Sequence, residues 1–200
     1  MNLDDARQRV ERVVAAAQPL RDGALPIGKE ARRRLIRDVD LSAEGIELAL
    51  GQYLESAPSR DCLDRFVARA TPSTMCHLIL SANVCTAPLR AIAFAAACAP
   101  EVRVRPSRRD PVIAELLIEQ LRNDPSFTAL GGIELVREVE PKAGHSLHVY
   151  GHDHTIAQIR AELAPGVSLA AHGTGFGLAL VAADEDLEIR ASNLARDLIV

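Results

Sequence analysis

The sequence predicts an α/β fold, an open and mainly parallel sheet covered by helices, preceded by a helical N-terminal segment. Residues 1–72 carry only helical patterns. After residue 73, short apolar runs alternate with helical segments of about ten residues, which is typical of such a sheet. The predicted strands are residues 75–81, 101–105, 133–139, 146–150 and 167–171. We therefore divide the chain into a helical segment, 1–72, and an α/β domain, 73–200.

Four helices are predicted in the N-terminal segment, over residues 3–17, 29–39, 43–56 and 61–70. The first has apolar side chains on one face and arginine and glutamate on the other, so it is amphipathic. It docks on the domain or on a partner subunit, and the sequence does not say which. The run Arg32 to Arg34 in the second helix either binds an anion or forms a solvated helix face.

The centre of the chain predicts one βαβ unit. Residues 75–81 are a mostly apolar run, as expected of a strand covered on both faces. Pro88 fits the first turn of a helix, and the apolar residues up to 98 make that helix buried. Pro100 ends it, and residues 101–105 alternate as a second strand. Functional loops should then follow the carboxyl ends of the two strands.

Beyond this unit the alternation continues. Asp110 is positioned to cap a helix that runs to Leu121. The glycines of residues 173–177 do not match the spacing of a dinucleotide fingerprint, because the third glycine comes one residue early. They are better explained as a link to a strand at 178–181. Two more helices are predicted, at residues 154–163 and 185–198.

Composition excludes several classes of function. The net charge of −4 and an aromatic content of 3% argue against a nucleic-acid binder, and no apolar run is long enough to cross a membrane. The start of the chain has no signal-peptide pattern, so we expect a cytoplasmic protein. The four cysteines lack metal-site spacing and are expected to be free and mostly buried. We predict no metal site.

Several motifs occur in an order that resembles a known family. Asn83 lies in a proline-containing loop before the alanine-rich helix, and the sequences VRPS at 104–107 and DP at 110–111 follow the second strand. Later come VYGHD at 149–153 and GTG at 173–175. This order, over about residues 40–200, resembles the aldehyde dehydrogenase superfamily. Within it the chain is most similar to acyl-CoA reductases such as the fatty-acid reductase of bacterial luminescence. The resemblance implies a Rossmann-like sheet.

The resemblance also implies a cofactor site. The positions of Arg105 and Arg108 match a lysine and an acidic residue that hold the adenosine ribose in the family, with Ser107 between them. Arginine forms bidentate bonds to phosphate, so NADP is favoured over NAD. Gly151 and His152, just before a helix, resemble the family's phosphate-contacting turn. The alternative for the arginines is a solvated basic turn.

Two catalytic residues follow from the same resemblance. Asn83 matches the asparagine whose amide stabilises the oxyanion, although an asparagine that shapes its loop remains an alternative. His172 stands near the position of a glutamate base in hydrolytic members; it is either a base or a structural histidine. The family's nucleophilic cysteine would lie shortly beyond Val200. We therefore expect a fragment that lacks the catalytic-cysteine domain, binds cofactor and does not turn over.

The function implied by the resemblance is reduction of an acyl thioester to an aldehyde through a cysteine acyl-enzyme. An acyl phosphate reductase, as in the glutamyl-phosphate reductase branch, is a second possibility. A third is a nucleotide-binding or interaction module without catalytic activity. The expected partner is an activated acyl substrate, and a homo-oligomer is compatible with the sequence.

Overall fold

The computed structural model describes residues 1–82, 84–175 and 186–199, and one parallel sheet lies at its centre. Within the described residues the strands are β1 (Met75–Ile79), β2 (Glu101–Arg105), β3 (Gly132–Leu135), β4 (Ser146–Tyr150) and β5 (Ser168–His172). Their spatial order is β3-β2-β1-β4-β5, and each neighbouring pair is parallel. This is the strand order of a Rossmann-like sheet, so the predicted fold class is confirmed.

Helices precede the sheet and cover it. They are α1 (Leu3–Arg21), α2 (Pro26–Val39), α3 (Ala43–Leu48), α4 (Arg60–Val67), α5 (Ala87–Cys98), α6 (Val112–Arg122), α7 (Pro125–Thr128), α8 (Asp153–Glu162) and α9 (Leu187–Ile199). A π-helical turn, Ala49–Tyr53, continues α3. Among the described helices, none combines the length and the apolar character needed to cross a membrane.

The two faces of the sheet pack against different helices. Successive side chains of a strand point to opposite faces. Cys76 and Leu78 of β1 belong to a large core formed with α1, α5 and α6, whereas Ile79 packs with Leu147 and Ile156 on the side of α8. The N-terminal helices share the large core with the sheet, and α1 lies against α5. Thus α1 docks on its own domain.

Helix α5 is buried on nearly all sides because its sequence is almost entirely apolar. Pro88 occupies its first turn, where a missing N–H costs no helical bond. Seven alanine, leucine and isoleucine side chains of α5 are buried. These are Leu89, Ala91, Ile92, Ala93, Ala95, Ala96 and Ala97. The small alanines let α1 approach closely, which fixes α1 across the helix that follows β1.

Arg9 of α1 is fully buried in this contact. Its Nε donates to the carbonyl of Ala96 at 3.1 Å, and its guanidinium lies 4.3 Å from the centre of the Phe127 ring. The helical partner of the Ala96 carbonyl would be the N–H of residue 100, which is a proline and has none. Arg9 therefore satisfies a carbonyl that the sequence of α5 leaves without a helical donor.

Several predicted boundaries are wrong. The strand predicted at 133–139 ends at Leu135. Its partner β2 ends before Pro106. The last hydrogen bond between the two segments runs from Val136 N–H to Val104 O, and beyond it β3 has no paired strand. The helix predicted at 43–56 loses α-helical geometry at Ala49. The helix predicted from residue 29 begins at Pro26.

Two further elements differ from the prediction. Helix α6 has Pro111 as its N-cap residue and no side-chain cap bond, so the prediction that Asp110 caps it is wrong. The Asp110 side chain is buried instead. Helix α7 was not predicted, although Asp124 caps it by accepting from the N–H of Ser126. The strand predicted at 178–181 lies outside the described residues.

The arginine run of α2 is neutralised by carboxylates. Arg32 pairs with Glu47 at 2.5 Å, Arg33 pairs with Glu30 at 2.6 Å, and Arg34 pairs with Glu115. Because each guanidinium has a carboxylate partner, the run is a set of ion pairs on a helix face. This favours the second of the two interpretations over an anion site.

Candidate functional site at the carboxyl edge of the sheet

The loops that carry the predicted site residues meet at the carboxyl edge of the sheet. The connection from β1 leads through α5 to β2 on one side, whereas β4 leads through α8 to β5 on the other. Ligands of such sheets bind in the crevice where the direction of the connections changes. Here that crevice lies above the ends of β1 and β4. The predicted site residues belong to the loops around it.

Asn83 belongs to the loop between β1 and α5 but lies outside the described residues. The described neighbours on either side place that loop at the carboxyl end of β1, where the N–H of Leu80 donates to the carbonyl of Arg105 at 3.0 Å. The oxyanion role of Asn83 stays a prediction.

A cationic cavity of about 460 Å³ opens beside the ends of β1 and β2. Its arginines are Arg105, Arg108 and Arg137, and its apolar floor includes Ile79 and Ile159. Glu138 and Glu162 also line it. Neither Arg105 nor Arg108 forms an ion pair with a described carboxylate. Their charges are therefore available to an anion, as the basic motif after β2 predicts.

Ser107 shapes the turn that carries these arginines. Its hydroxyl oxygen accepts from the N–H of Arg109 at 3.1 Å, a short-range bond typical of turns. Arg108, between the two residues, is exposed, and so is Arg109. Only Arg108 of this exposed pair lines the cavity. The turn thus places Arg108 at the cavity and Arg109 outside it.

Gly151 and His152 lead into α8 as predicted. His152 is the N-cap residue and makes no side-chain cap bond, so the first N–H groups of the helix have no side-chain acceptor. A Cβ at Gly151 would meet no atom within 4 Å, which leaves open space beside the helix start. Asp153 does not occupy these N–H groups; its Oδ1 accepts from the N–H of Thr174 at 3.0 Å. The open helix start is suited to a phosphate.

His172 lies apart from the cationic cavity. It pairs in register with Tyr150, and the two rings stack with centroids 4.1 Å apart. His148 lies 5.9 Å further along the same face. These rings lie on the face of the sheet that α5 covers, whereas the Arg105 side chain lies on the face that α8 covers. The structure thus does not bring His172 together with the arginines, and its role as a base stays a prediction.

Asp110 and Cys85 form a buried pair that the sequence did not indicate. Each is 8% exposed, and Asp110 Oδ1 has no hydrogen-bond partner among the described residues. Burial raises the pKa of Asp110, and burial together with Asp110 raises the pKa of Cys85 to about 11. Cys85 is therefore a neutral thiol at physiological pH. The sequence did show an acidic residue, Asp110, beside the basic turn, but it was predicted as a helix cap and not as a buried carboxyl group.

Arg137 is the other member of the site that sequence reasoning missed. It follows β3, the strand that pairs with β2, so Arg137 and Arg108 leave neighbouring strands at the same edge of the sheet. Among the described residues no group of three or more histidine, cysteine or acidic side chains is arranged to hold a metal. The site is suited to phosphate groups.

The chain is similar in fold to a solved structure. That structure is glyceraldehyde-3-phosphate dehydrogenase GapN from Methanocaldococcus jannaschii, complexed with NADP. The likeness has a TM-score of 0.53 and covers 88% of this chain at 12% sequence identity. This chain spans 42% of the length of that dehydrogenase. No protein-family model matches the chain, and no curated protein matches it by sequence. At this identity the likeness is one of fold.

Proposed function

We propose that the chain is the NADP-binding portion of an acyl-CoA reductase-like oxidoreductase, which reduces an acyl thioester to an aldehyde through a cysteine acyl-enzyme. The observation that carries the proposal is the cationic cavity, where Arg105 and Arg108 stand without carboxylate partners at the end of β2. The related fold of an NADP-bound dehydrogenase supports it. So does the order of motifs that resembles the aldehyde dehydrogenase superfamily.

The two arginines would recognise the 2′-phosphate of the cofactor. A guanidinium donates two parallel N–H bonds to phosphate oxygens, and its charge persists at any physiological pH. A carboxylate at either position would repel that phosphate. Gly151 leaves room for the pyrophosphate beside the uncapped start of α8, with His152 next to it. NADPH supplies a hydride when bound.

Asn83 would act on the substrate side of the crevice. An amide donor aimed at a developing oxyanion in a dry pocket contributes about 3 kcal/mol to such a step. The acyl-enzyme cysteine would come from outside this chain. Cys85 is poorly suited to that role, because its buried thiol stays protonated.

Calorimetric titration with NADPH and with NADH tests the proposal. We expect NADPH to bind about 10-fold to 100-fold more tightly than NADH, because this ratio corresponds to the free energy of one charge-assisted hydrogen bond. Arg105→Ala and Arg108→Ala should each remove most of that preference. Arg109→Ala is the matched control, because Arg109 lies in the same turn outside the cavity, and it should keep the preference. Equal affinity of the wild-type chain for both nucleotides, or an equal loss in all three variants, would contradict the assignment.

A further inference from the structure

Arg137 borders the cationic cavity from a different strand than the two arginines assigned above. β2 and β3 are parallel neighbours, with Val104 opposite Leu135, so the loops after both strands leave the same edge of the sheet. Arg105 and Arg108 line the cavity from the β2 side, and Arg137 lines it from the β3 side. Three arginines on two loops therefore border one space.

Another arginine on this face of β2 is paired with a carboxylate. Arg103 lies opposite Glu134 in the strand register, and its Nε lies 2.7 Å from Glu134 Oε1. Arg105 comes two residues later and so lies on the same face. The N–H of Val136 bonds to the carbonyl of Val104, which brings valine, and not a second glutamate, opposite Arg105. The cross-strand pairing of charges thus stops where the cavity begins.

Arg137 also lacks a carboxylate partner. It lies exposed in the loop after β3 and forms no ion pair with any carboxylate of residues 1–82, 84–175 or 186–199. Glu138 and Glu162 line the same cavity, and neither is paired within those ranges. A surface whose charges neutralise one another, such as that of α2, would pair these groups. The three arginines instead leave the lining with a net positive charge, which is typical of a site for an anionic ligand.

We propose that Arg137 is a third specificity-determining residue for the cofactor, and that it contacts the 2′-phosphate of NADP from the β3 side of the cavity. This role rests on the proposed function and extends it to a residue that the motif after β2 does not contain. A phosphate monoester has three acceptor oxygens, so donors on one loop leave an oxygen for a donor on the other. NADH carries a hydroxyl at this position, which gains little from a third cation.

The charges of the cavity lining give a second expectation, of opposite sign. Three arginines and two glutamates line the cavity, so loss of Arg137 alone makes the lining formally neutral. Glu138, the next residue, acts in the other direction, because a carboxylate near a phosphate repels it. Replacement of Glu138 by glutamine should therefore strengthen the binding of NADPH.

Calorimetric titration of the 200-residue chain with NADPH and with NADH tests this role. We expect Arg137→Ala to weaken NADPH binding about tenfold and to change NADH binding by less than about twofold. Arg137→Lys should weaken NADPH binding about threefold, because lysine keeps the charge and loses the two-pronged geometry. Glu138→Gln should strengthen NADPH binding about threefold. Arg160→Ala is the matched control, since Arg160 is exposed on α8 beside Ile159 but does not line the cavity, and it should change neither affinity.

The outcomes separate the role of Arg137 from the proposed function. If Arg105→Ala and Arg108→Ala remove the preference for NADPH while Arg137→Ala behaves like Arg160→Ala, the role of Arg137 is overturned and the cofactor site stands. Equal loss of NADPH and NADH affinity in Arg137→Ala also overturns it, because the arginine would then only shape the loop. If the wild-type chain binds neither nucleotide, or both equally, the proposed function fails and the role of Arg137 fails with it.

Discussion

The buried guanidinium of Arg9 permits a quantitative prediction about stability. Arg9→Met keeps an unbranched side chain of similar length but removes the charge, the bond to the Ala96 carbonyl and the contact with Phe127. The charge-assisted bond contributes about 1.5–3 kcal/mol, and a desolvated cation–π contact contributes about 2 kcal/mol. Together they stabilise the fold by about 4 kcal/mol.

Burial of the charge opposes this gain. Desolvation lowers the pKa of Arg9 from 12.5 to about 10, against a raising effect of Glu101. Such a shift corresponds to a cost of about 3 kcal/mol for keeping the group charged at neutral pH. The balance predicts that Arg9→Met lowers the free energy of unfolding by about 1–2 kcal/mol. Arg9→Ala, which also leaves a cavity, should lower it by about 3–4 kcal/mol.

Urea unfolding followed by circular dichroism at pH 7 measures both variants. Arg7→Met is the control, since Arg7 on the same helix makes partly exposed ion pairs with Asp4 and Asp64, and its loss should lower the free energy of unfolding much less than the loss of Arg9. If Arg9→Met proves as stable as the wild type or more so, the desolvation cost outweighs the contacts. The explanation of why α1 carries an arginine there would then be wrong.

Three other predictions concern acid, backbone and thiol behaviour. Burial lowers the pKa of His148 to about 4, so between about pH 6.5 and 4 the unfolded chain binds a proton that the folded chain does not. Stability should fall by about 3 kcal/mol as the pH drops through that window, and His148→Phe should reduce the fall in urea titrations. Gly131→Ala should lower the free energy of unfolding by about 3 kcal/mol, because φ is +140° and a Cβ would lie 2.0 Å from the carbonyl oxygen of Pro100. Gly51→Ala is the control; a Cβ there would meet no atom within 4 Å, so the free energy of unfolding should change by less than about 1 kcal/mol. Cys62 should react first with a disulfide reagent, since the Ser59 hydroxyl and Arg65 lower the pKa of its exposed thiol; an unchanged rate in Arg65→Gln would contradict the contribution of the guanidinium.

The order of strands and helices was predictable because prolines and apolar periodicity mark it directly. Pro88 and Pro100 enclose α5, and both strands beside it have the expected apolar runs. The length of β3 was not predictable in this way. It depends on where its partner stops, and the missing N–H of Pro106 acts on β3 only once the two strands are paired.

The candidate site was predictable where the chemistry is local and not where it depends on packing. Arg105 ends a predicted strand and Arg108 follows it, so their place at the carboxyl edge followed from the topology. Arg137 reaches the same cavity from another strand. Arg9 looked like part of the polar face of α1, because a periodic pattern does not reveal that α5 and α7 both contact that helix. Burial of Asp110 is a similar consequence of tertiary packing.

The position of α1 has a consequence for synthesis on the ribosome. Arg9 also contacts the carbonyl of Gly132, a residue 123 positions later, so the surroundings of α1 are complete only after β3 has been made. Until α5 emerges, the apolar face of α1 has no sheet-bound helix to pack against, and contacts between such distant residues form slowly. A nascent chain of the first 72 residues would therefore have the contacts among its own helices, but the face of α1 that packs on α5 would still be exposed to water.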